Sequence, residues 1–297
     1  MRGRLGASFI IALTEEHPML PRLLQSIALQ RAGVEALEIL VAGPSRVIAD
    51  ARMWQAVVNC PVRTVATDEE ATTPAIRNAA AKQAEGDLLH FVTPEFRLDR
   101  GFLGEMLDAA KDVPEADIIY SDYVRMSASS GRGASGVVRV GAFDEDRLRE
   151  REALGPSVCI RAALFQELGG YREDAVYPDW DFRIRAAQAG KAFLHTAYPL
   201  LSVPQRKVTF RERALDGRGK AMLVIANPGY FHGHTLRWAL SHLRGEKWAE
   251  AGQFMVIPSP MDVTRMLHSQ AMHEIDGGSS AAEAVRQFKN NVVSFSA

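Results

Sequence analysis

The chain has 297 residues, 47% of them hydrophobic and 24% charged, an ordinary globular balance. A chain this long buries most of its apolar surface without disulfide or metal staples. Its net charge of -1 excludes a globally basic nucleic-acid binder, though not a local basic patch.

The N-terminus carries Arg2 and Arg4 before a short apolar run, which meets Glu15 and Glu16 too soon for a signal peptide or a membrane span. No later stretch reaches about 18 uninterrupted apolar residues. Cys60 and Cys159 have no metal-ligand spacing and read as buried thiols. A soluble protein of a reducing, cytoplasmic compartment is the expectation.

Five short apolar or β-branched runs follow in order: Ser8–Leu13, Glu38–Ala42, Val62–Ala66, Asp87–Val92 and Asp117–Tyr123. Helical patterns separate most of them. Leu20, Leu23, Leu24 and Ile27 recur at helical spacing. Thr73–Ala84 is predicted as a helix with Thr73 as its cap, Pro74 at its first position and Gly86 as its stop. This alternation predicts a mainly parallel sheet covered on both faces. Its ligand crevice would lie beyond the carboxyl ends of the strands, which makes the loops after Leu13, Ala42 and Val92 the ones to watch.

Ser127–Gly136 is small, polar and glycine-rich, a surface connection between two strands. A strand is predicted over Val137–Phe143 and a charged helix over Asp144–Arg151. An apolar stretch, Ser157–Leu168, is broken by Gly169-Gly170, and a further helix spans Pro178–Ala189. From Gln205 the pattern turns polar and basic. Three helices are predicted beyond it, over His234–Phe254, Met261–His273 and Ser280–Lys289. The expected division is therefore a sheet domain over 1–204 and a basic linker with a helical C-terminal appendage over 205–297.

Five segments in this order resemble the family-2 glycosyltransferases, whose fold is the GT-A (nucleotide-diphospho-sugar transferase) fold. They are SFIIALTEEHPMLPRLLQSIALQ, EILVAGPS, RNAAAKQAEGDLLHFVTPEF, ADIIYSDY, and GPSVCIRAALFQELGGYRED followed by YPDWDFRIRAAQAG. Together they cover roughly residues 5–203. The resemblance implies a Rossmann-like α/β domain that moves a sugar from a nucleotide diphosphate to an acceptor nucleophile, usually with inversion. Such chemistry needs a base for the acceptor's proton, positive charge on the departing diphosphate and a pocket that aligns both substrates.

The resemblance places Asp179 where the family has its catalytic carboxylate, at a helix start that favours the ionised form. Asp181 is the reserve candidate. Trp180 and Asp122 fall on the acceptor side, with packing the plainer role for Trp180. Arg77 and Asn78 match the family, and Arg77 either faces the diphosphate or pairs with a carboxylate. The donor loops correspond to Leu13, Thr14 and Glu15, and to Gly43-Pro44-Ser45. Gly43 permits a close backbone approach without supplying an acceptor.

Where the family has Asp-x-Asp, this chain has Thr93, Pro94 and Glu95. The single carboxylate would hold Mn²⁺ or Mg²⁺ only with help from other ligands. His232 and His234 are the suggestive extra donors, although two ordinary surface histidines account for the pair as well. Alternatively no metal is used, and Arg206, Lys207 and Arg211 neutralise the diphosphate. The acceptor is open: a glycan, a small molecule, a peptide, or modified DNA as in viral transferases of related fold. The altered motif also admits a non-catalytic binding or scaffold protein.

Overall fold

The structure, a computed structural model, describes residues 6–30, 37–56, 58, 60–126, 134–205, 210–250 and 256–276. The chain divides into two compact units. The first comprises Met1–Asp144 and Ala153–Arg206, the second Glu145–Glu152 and Lys207–Ala297.

The first unit opens with β1 (Ala7–Ala12), α1 (Leu20–Ala28), β2 (Leu37–Pro44), α2 (Ser45–Ile48) and a 3₁₀ segment over Ala49–Ala56. It continues with β3 (Val62–Thr67), α3 (Thr73–Ala81), β4 (Leu88–Val92), β5 (Arg97–Leu98), α4 (Phe102–Asp112), β6 (Ile118–Met126) and β7 (Ala134–Val138). After α5 (Glu145–Glu150), which belongs to the second unit, come β8 (Val158–Arg161), α6 (Ala162–Glu167), α7 (Pro178–Gln188) and β9 (Phe193–Pro204). The second unit holds α5, α8 (Phe210–Ala226), α9 (Gly233–Leu243), α10 (Lys247–Glu250) and α11 (Pro260–Asp276).

The nine strands among the described residues form one sheet in the order β3-β2-β1-β4-β8-β6-β9-β5, with β7 paired to β6. The alternating strands and helices at the start of the chain produce the parallel run β3-β2-β1-β4. β6 and β9 are also parallel, whereas β8, β7 and β5 run antiparallel to their partners. Nearly every residue of β1, β2 and β4 is buried, on both parities of the strand, so helices cover both faces there. The apolar stripe of α1, Leu20, Leu23, Leu24 and Ile27, is buried as its spacing predicts.

Several local expectations are corrected. The cap of α3 is Thr72, whose hydroxyl accepts from the Ala75 amide at 3.4 Å, so Pro74 takes the second helical position. The helix ends at Ala81, well before Gly86. Gly86 is instead packed against β1, where a Cβ would stand 2.6 Å from the Ala7 and Ser8 backbone. The strand expected over Val137–Phe143 forms over Ala134–Val138. The long helix expected over His234–Phe254 is divided into α9 and α10 at Gly245, whose φ of +73° stops a helix. Residues 145–152, placed in the first domain by the sequence reading, belong to the second unit. The helix expected over Ser280–Lys289 lies outside the described residues.

Gly43, at the end of β2, is required by contact. Leu13 donates its amide to the Ala42 carbonyl at 2.8 Å, and a Cβ on Gly43 would stand 2.2 Å from the Leu13 carbonyl oxygen. Backbone cannot yield as a flexible side chain does, so Gly43→Ala must pry the two strand ends apart. The expected loss is about 1–3 kcal/mol, the usual cost of overpacking, read as a lower unfolding midpoint in denaturant.

β9 leaves its partner once. Ser121 pairs with Thr196 and Tyr123 with Leu201. Asp122 alone on β6 thus faces the detour Ala197–Leu200 on β9. Tyr198, in that detour, is exposed.

His90 lies in the core between Phe9 and Phe102, with ring centroids 5.3 and 4.7 Å away. Its Nδ1 is 2.6 Å from the Val158 carbonyl, which fixes the proton on that nitrogen, and Nε2 is buried without a partner. Burial lowers its pKa from 6.5 to about 4, against the opposing pull of the Val158 carbonyl. The unfolded chain therefore takes up a proton near pH 6.5 that the folded chain refuses until about pH 4. Folding stability should fall by about 3 kcal/mol as the pH drops through that window. Unfolding curves between pH 7 and 4 check this; in His90→Phe that part of the slope should vanish.

Candidate active site

The carboxyl end of β4 and the first turn of α7 bring Arg77, Tyr171 and Asp179 together. Asp179 sits in that first turn behind Pro178, with Tyr177 in the cap position, so Asp179 is not itself the cap. Arg77 donates from Nη1 to Asp179 Oδ2 at 3.0 Å, and the Tyr171 hydroxyl donates to Oδ1 at 2.8 Å. The Asp179 side chain is 37% exposed, against 11% for Arg77. Both oxygens of the carboxylate are thus anchored, while the side chain keeps an open face to solvent.

The electrostatics follow from that setting. Burial alone would raise the Asp179 pKa, but the Arg77 and Arg183 guanidinium groups and the Tyr171 hydroxyl outweigh it, and the carboxyl falls below its usual range. Burial, reinforced by the Asp179 charge, pushes the Tyr171 hydroxyl well above its ordinary value. Tyr171 therefore remains a donor. Arg77 also lies over the rings of Phe91 and Tyr171, 5.8 and 5.6 Å from their centroids, which holds its guanidinium beside the end of β4.

Tyr171 is held by its own backbone. The Asn78 side chain accepts from the Tyr171 amide at 2.9 Å and donates to its carbonyl at 2.8 Å. Gly169 and Gly170 both take φ of +73°, and a Cβ on Gly170 would come within 2.6 Å of Asn78 Oδ1. Arg185 closes the turn from the other side, donating to the Leu168 and Gly170 carbonyls at 2.7 and 2.6 Å.

Asp181 does different work from its neighbour. It is 1% exposed, and its two oxygens accept from Arg172 Nη1 and Arg185 Nε, each at 2.9 Å. A sealed carboxylate with both oxygens in ion pairs is a structural anchor rather than a reserve base. Trp180 is 3% exposed and packs near Tyr177, which leaves no face for an acceptor sugar.

Asp122, at the β9 detour, is also buried. It accepts from the Val140 amide at 2.9 Å, with Arg139 at 3.4 Å and His195 Nε2 at 2.8 Å. Burial would raise its pKa, but these partners hold it lowered. An ionised acceptor there places the proton of a neutral His195 on Nε2, leaving Nδ1 with its lone pair. Among the described residues no partner for Nδ1 is found.

The loops that the family resemblance assigns to the donor lie at the ends of β1 and β2. Leu13 and Gly43 are buried against each other, whereas Thr14, Glu15 and Ser45 are exposed. At the end of β4, Thr93 accepts from the Phe96 amide at 3.0 Å in a turn. Glu95 in that turn stands 3.2 Å from His17 Nε2, and His17 Nδ1 accepts from the Met19 amide at 3.2 Å. The loops after β1 and β4 are thereby joined.

A divalent ion on a diphosphate takes several oxygen ligands. This turn offers one carboxylate, already beside His17. His232 and His234 belong to the second unit, where His232 precedes α9 and borders a cavity of about 300 Å³ with Arg149, Phe231 and Pro258. Among the described residues no three His, Cys, Asp or Glu side chains are placed to share an ion. The described side chains thus do not make a metal site of their own. Arg206 and Lys207 lie outside the described residues, as does the side chain of Arg211. Cys60 and Cys159 are buried free thiols, with pKa values raised by burial. No helix among the described residues is long and apolar enough to cross a membrane.

Tyr171, His17 and His195 were not singled out from the sequence. Tyr171 directly follows the Gly169-Gly170 pair, the one local signal that a turn fixes it. The two histidines meet their partners only through the pairing of strands distant in sequence.

No family model matches the sequence, and no curated protein matches it. Solved structures do match in fold. S. aureus TarS superposes with a TM-score of 0.55 at 16% identity, covering 82% of this chain; the chain spans only 44% of that protein's length. TarS 1–349 in complex with UDP-GlcNAc gives 0.55 at 15% identity, over 82% of this chain and 73% of that one. The mannosyltransferase PcManGT from Pyrobaculum calidifontis, in complex with GDP-Man and Mn²⁺, gives 0.57 at 15% identity, over 99% of this chain and 82% of that one. The architecture is the GT-A glycosyltransferase fold, as the order of the sequence segments implies.

Proposed function

We propose that this chain is a glycosyltransferase that moves a sugar from a nucleotide-diphosphate donor to an acceptor nucleophile with inversion. The observation that carries the reading is Asp179: a partly exposed carboxylate in a helix first turn, aimed by Arg77 and Tyr171 beside the end of β4. In open α/β sheets that end of the strands is where ligands bind, and the similar structures of TarS and PcManGT hold UDP-GlcNAc and GDP-Man.

In the proposed reaction the acceptor hydroxyl attacks the anomeric carbon and its proton passes to Asp179. The bond from that carbon to the phosphate oxygen breaks, and its electron pair leaves with the nucleoside diphosphate. Attack opposite the leaving group inverts the centre. Arg77 touches Asp179 and lies over Phe91 of β4, and charge there stabilises the departing diphosphate. Thr14, Glu15 and Ser45 border the donor at the ends of β1 and β2.

Thermal unfolding with UDP-GlcNAc and with GDP-Man, each with Mn²⁺ and with a chelator, tests the reading. A bound donor should raise stability by about 2.7 kcal/mol at a hundredfold excess over Kd. Unmoved midpoints in every combination would leave a binding or scaffold protein that has kept the fold without the chemistry. The altered turn Thr93-Pro94-Glu95 is what favours that second reading.

A further inference from the structure

The Arg77–Asp179 pair poses a chemical problem that its geometry also answers. A base must have a lone pair and an affinity for protons suited to its task. Here the carboxylate is tied at both oxygens, to Arg77 at 3.0 Å and Tyr171 at 2.8 Å. Its charged surroundings are Arg77 from α3 and Arg183 from its own helix, both cationic, with the neutral Tyr171 from the preceding turn. Asp179 in this state is a weak base.

Both cations are buried, Arg77 at 9% and Arg183 at 4% exposure, but Arg183 belongs to the helix of Asp179 itself. Arg77 projects from α3 and lies over Phe91, two residues before the Thr93-Pro94-Glu95 turn. A planar guanidinium with five donors forks readily onto phosphate oxygens. A diphosphate at the end of β4 would therefore compete with Asp179 for the same group.

We propose that Arg77 is shared between Asp179 and the donor's diphosphate, so that donor binding draws it off the carboxylate and frees Asp179 to accept the acceptor's proton. This rests on the glycosyltransferase reading and adds an order to it: the base is masked until the donor is in place. Water reaching the empty site meets a carboxylate that does not activate it. Arg77 acts on the diphosphate directly and on the proton transfer through Asp179. Tyr171 stays as the fixed hinge of the carboxylate, because Asn78 and the Gly169-Gly170 turn hold its backbone.

Carbon-detected NMR titration of the aspartate carboxyl groups tests this in the intact chain, with UDP, GDP and inorganic pyrophosphate as probes. The Asp179 midpoint should rise on binding by about one pH unit, a tenfold gain in proton affinity. Asp181, sealed between Arg172 and Arg185, should not move. In Arg77→Gln the Asp179 midpoint should already be raised and should no longer respond to the probe. Tyr171→Phe should raise the midpoint yet keep the response, which separates a shared arginine from a general loosening of the site. A probe that binds while Asp179 stays put overturns the sharing alone. If no probe binds, the glycosyltransferase reading falls and takes the sharing with it.

Discussion

Asp179→Asn should lower release of nucleoside diphosphate from a sugar nucleotide by about 10²–10⁴-fold, the range for losing a general base, while the protein stays folded. Asparagine keeps the size of the side chain and can still accept from the Tyr171 hydroxyl. It loses the negative charge that faces Arg77 and Arg183, and leaving those guanidinium groups uncompensated costs on the order of 1–3 kcal/mol. Both readouts are needed together: nucleotide release by a coupled assay, and the unfolding midpoint of the same preparation. Full turnover in a folded variant would remove Asp179 from the mechanism.

Two residues on, the same kind of substitution should act on stability instead. Asp181→Ala is expected to cost about 3–5 kcal/mol, the penalty for breaking a buried ion pair by removing one partner. Arg172 and Arg185 would both lose their carboxylate partner. The damage should spread along a short chain of contacts. Arg185 holds the Leu168 and Gly170 carbonyls, that turn sets the Tyr171 backbone, and Tyr171 aims Asp179. Denaturant unfolding should show the loss, and a folded remnant at low temperature should bind donor less well. Asp181→Asn, which keeps one acceptor, should lie between the parent and the alanine variant. A small change in both variants would show that the two arginines find other acceptors.

The difference between these neighbours was only half legible in the sequence. Helical spacing shows that positions 179 and 181 leave a helix on different faces, but not which face is sealed. That depends on Arg172 and the Gly169-Gly170 turn, which lie earlier in the chain. The parallel half of the sheet was legible because its strands are short apolar runs separated by periodic helices. The antiparallel strands were harder to place: Val158–Arg161 reads as one apolar stretch with the helix that follows it. The cap of α3 was misplaced by one residue because two threonines precede Pro74, and both suit a cap. At the site, Asp179 and Arg77 could be named separately, yet their contact spans 102 positions and no local pattern encodes it. The His17–Glu95 and Asp122–His195 contacts were hidden for the same reason.

The excursion of β9 between Thr196 and Leu201 has a consequence for how this protein can be changed. Four residues there answer a single one on β6, so the hydrogen-bonded stretches before and after it are aligned independently of its length. Residues can be added or removed at that point without shifting either flank by one position, which would turn every side chain to the wrong side of the sheet. Tyr198 already stands in solvent there. Grafting a loop at this place would alter the rim beside Asp122 while sparing the scaffold beneath it.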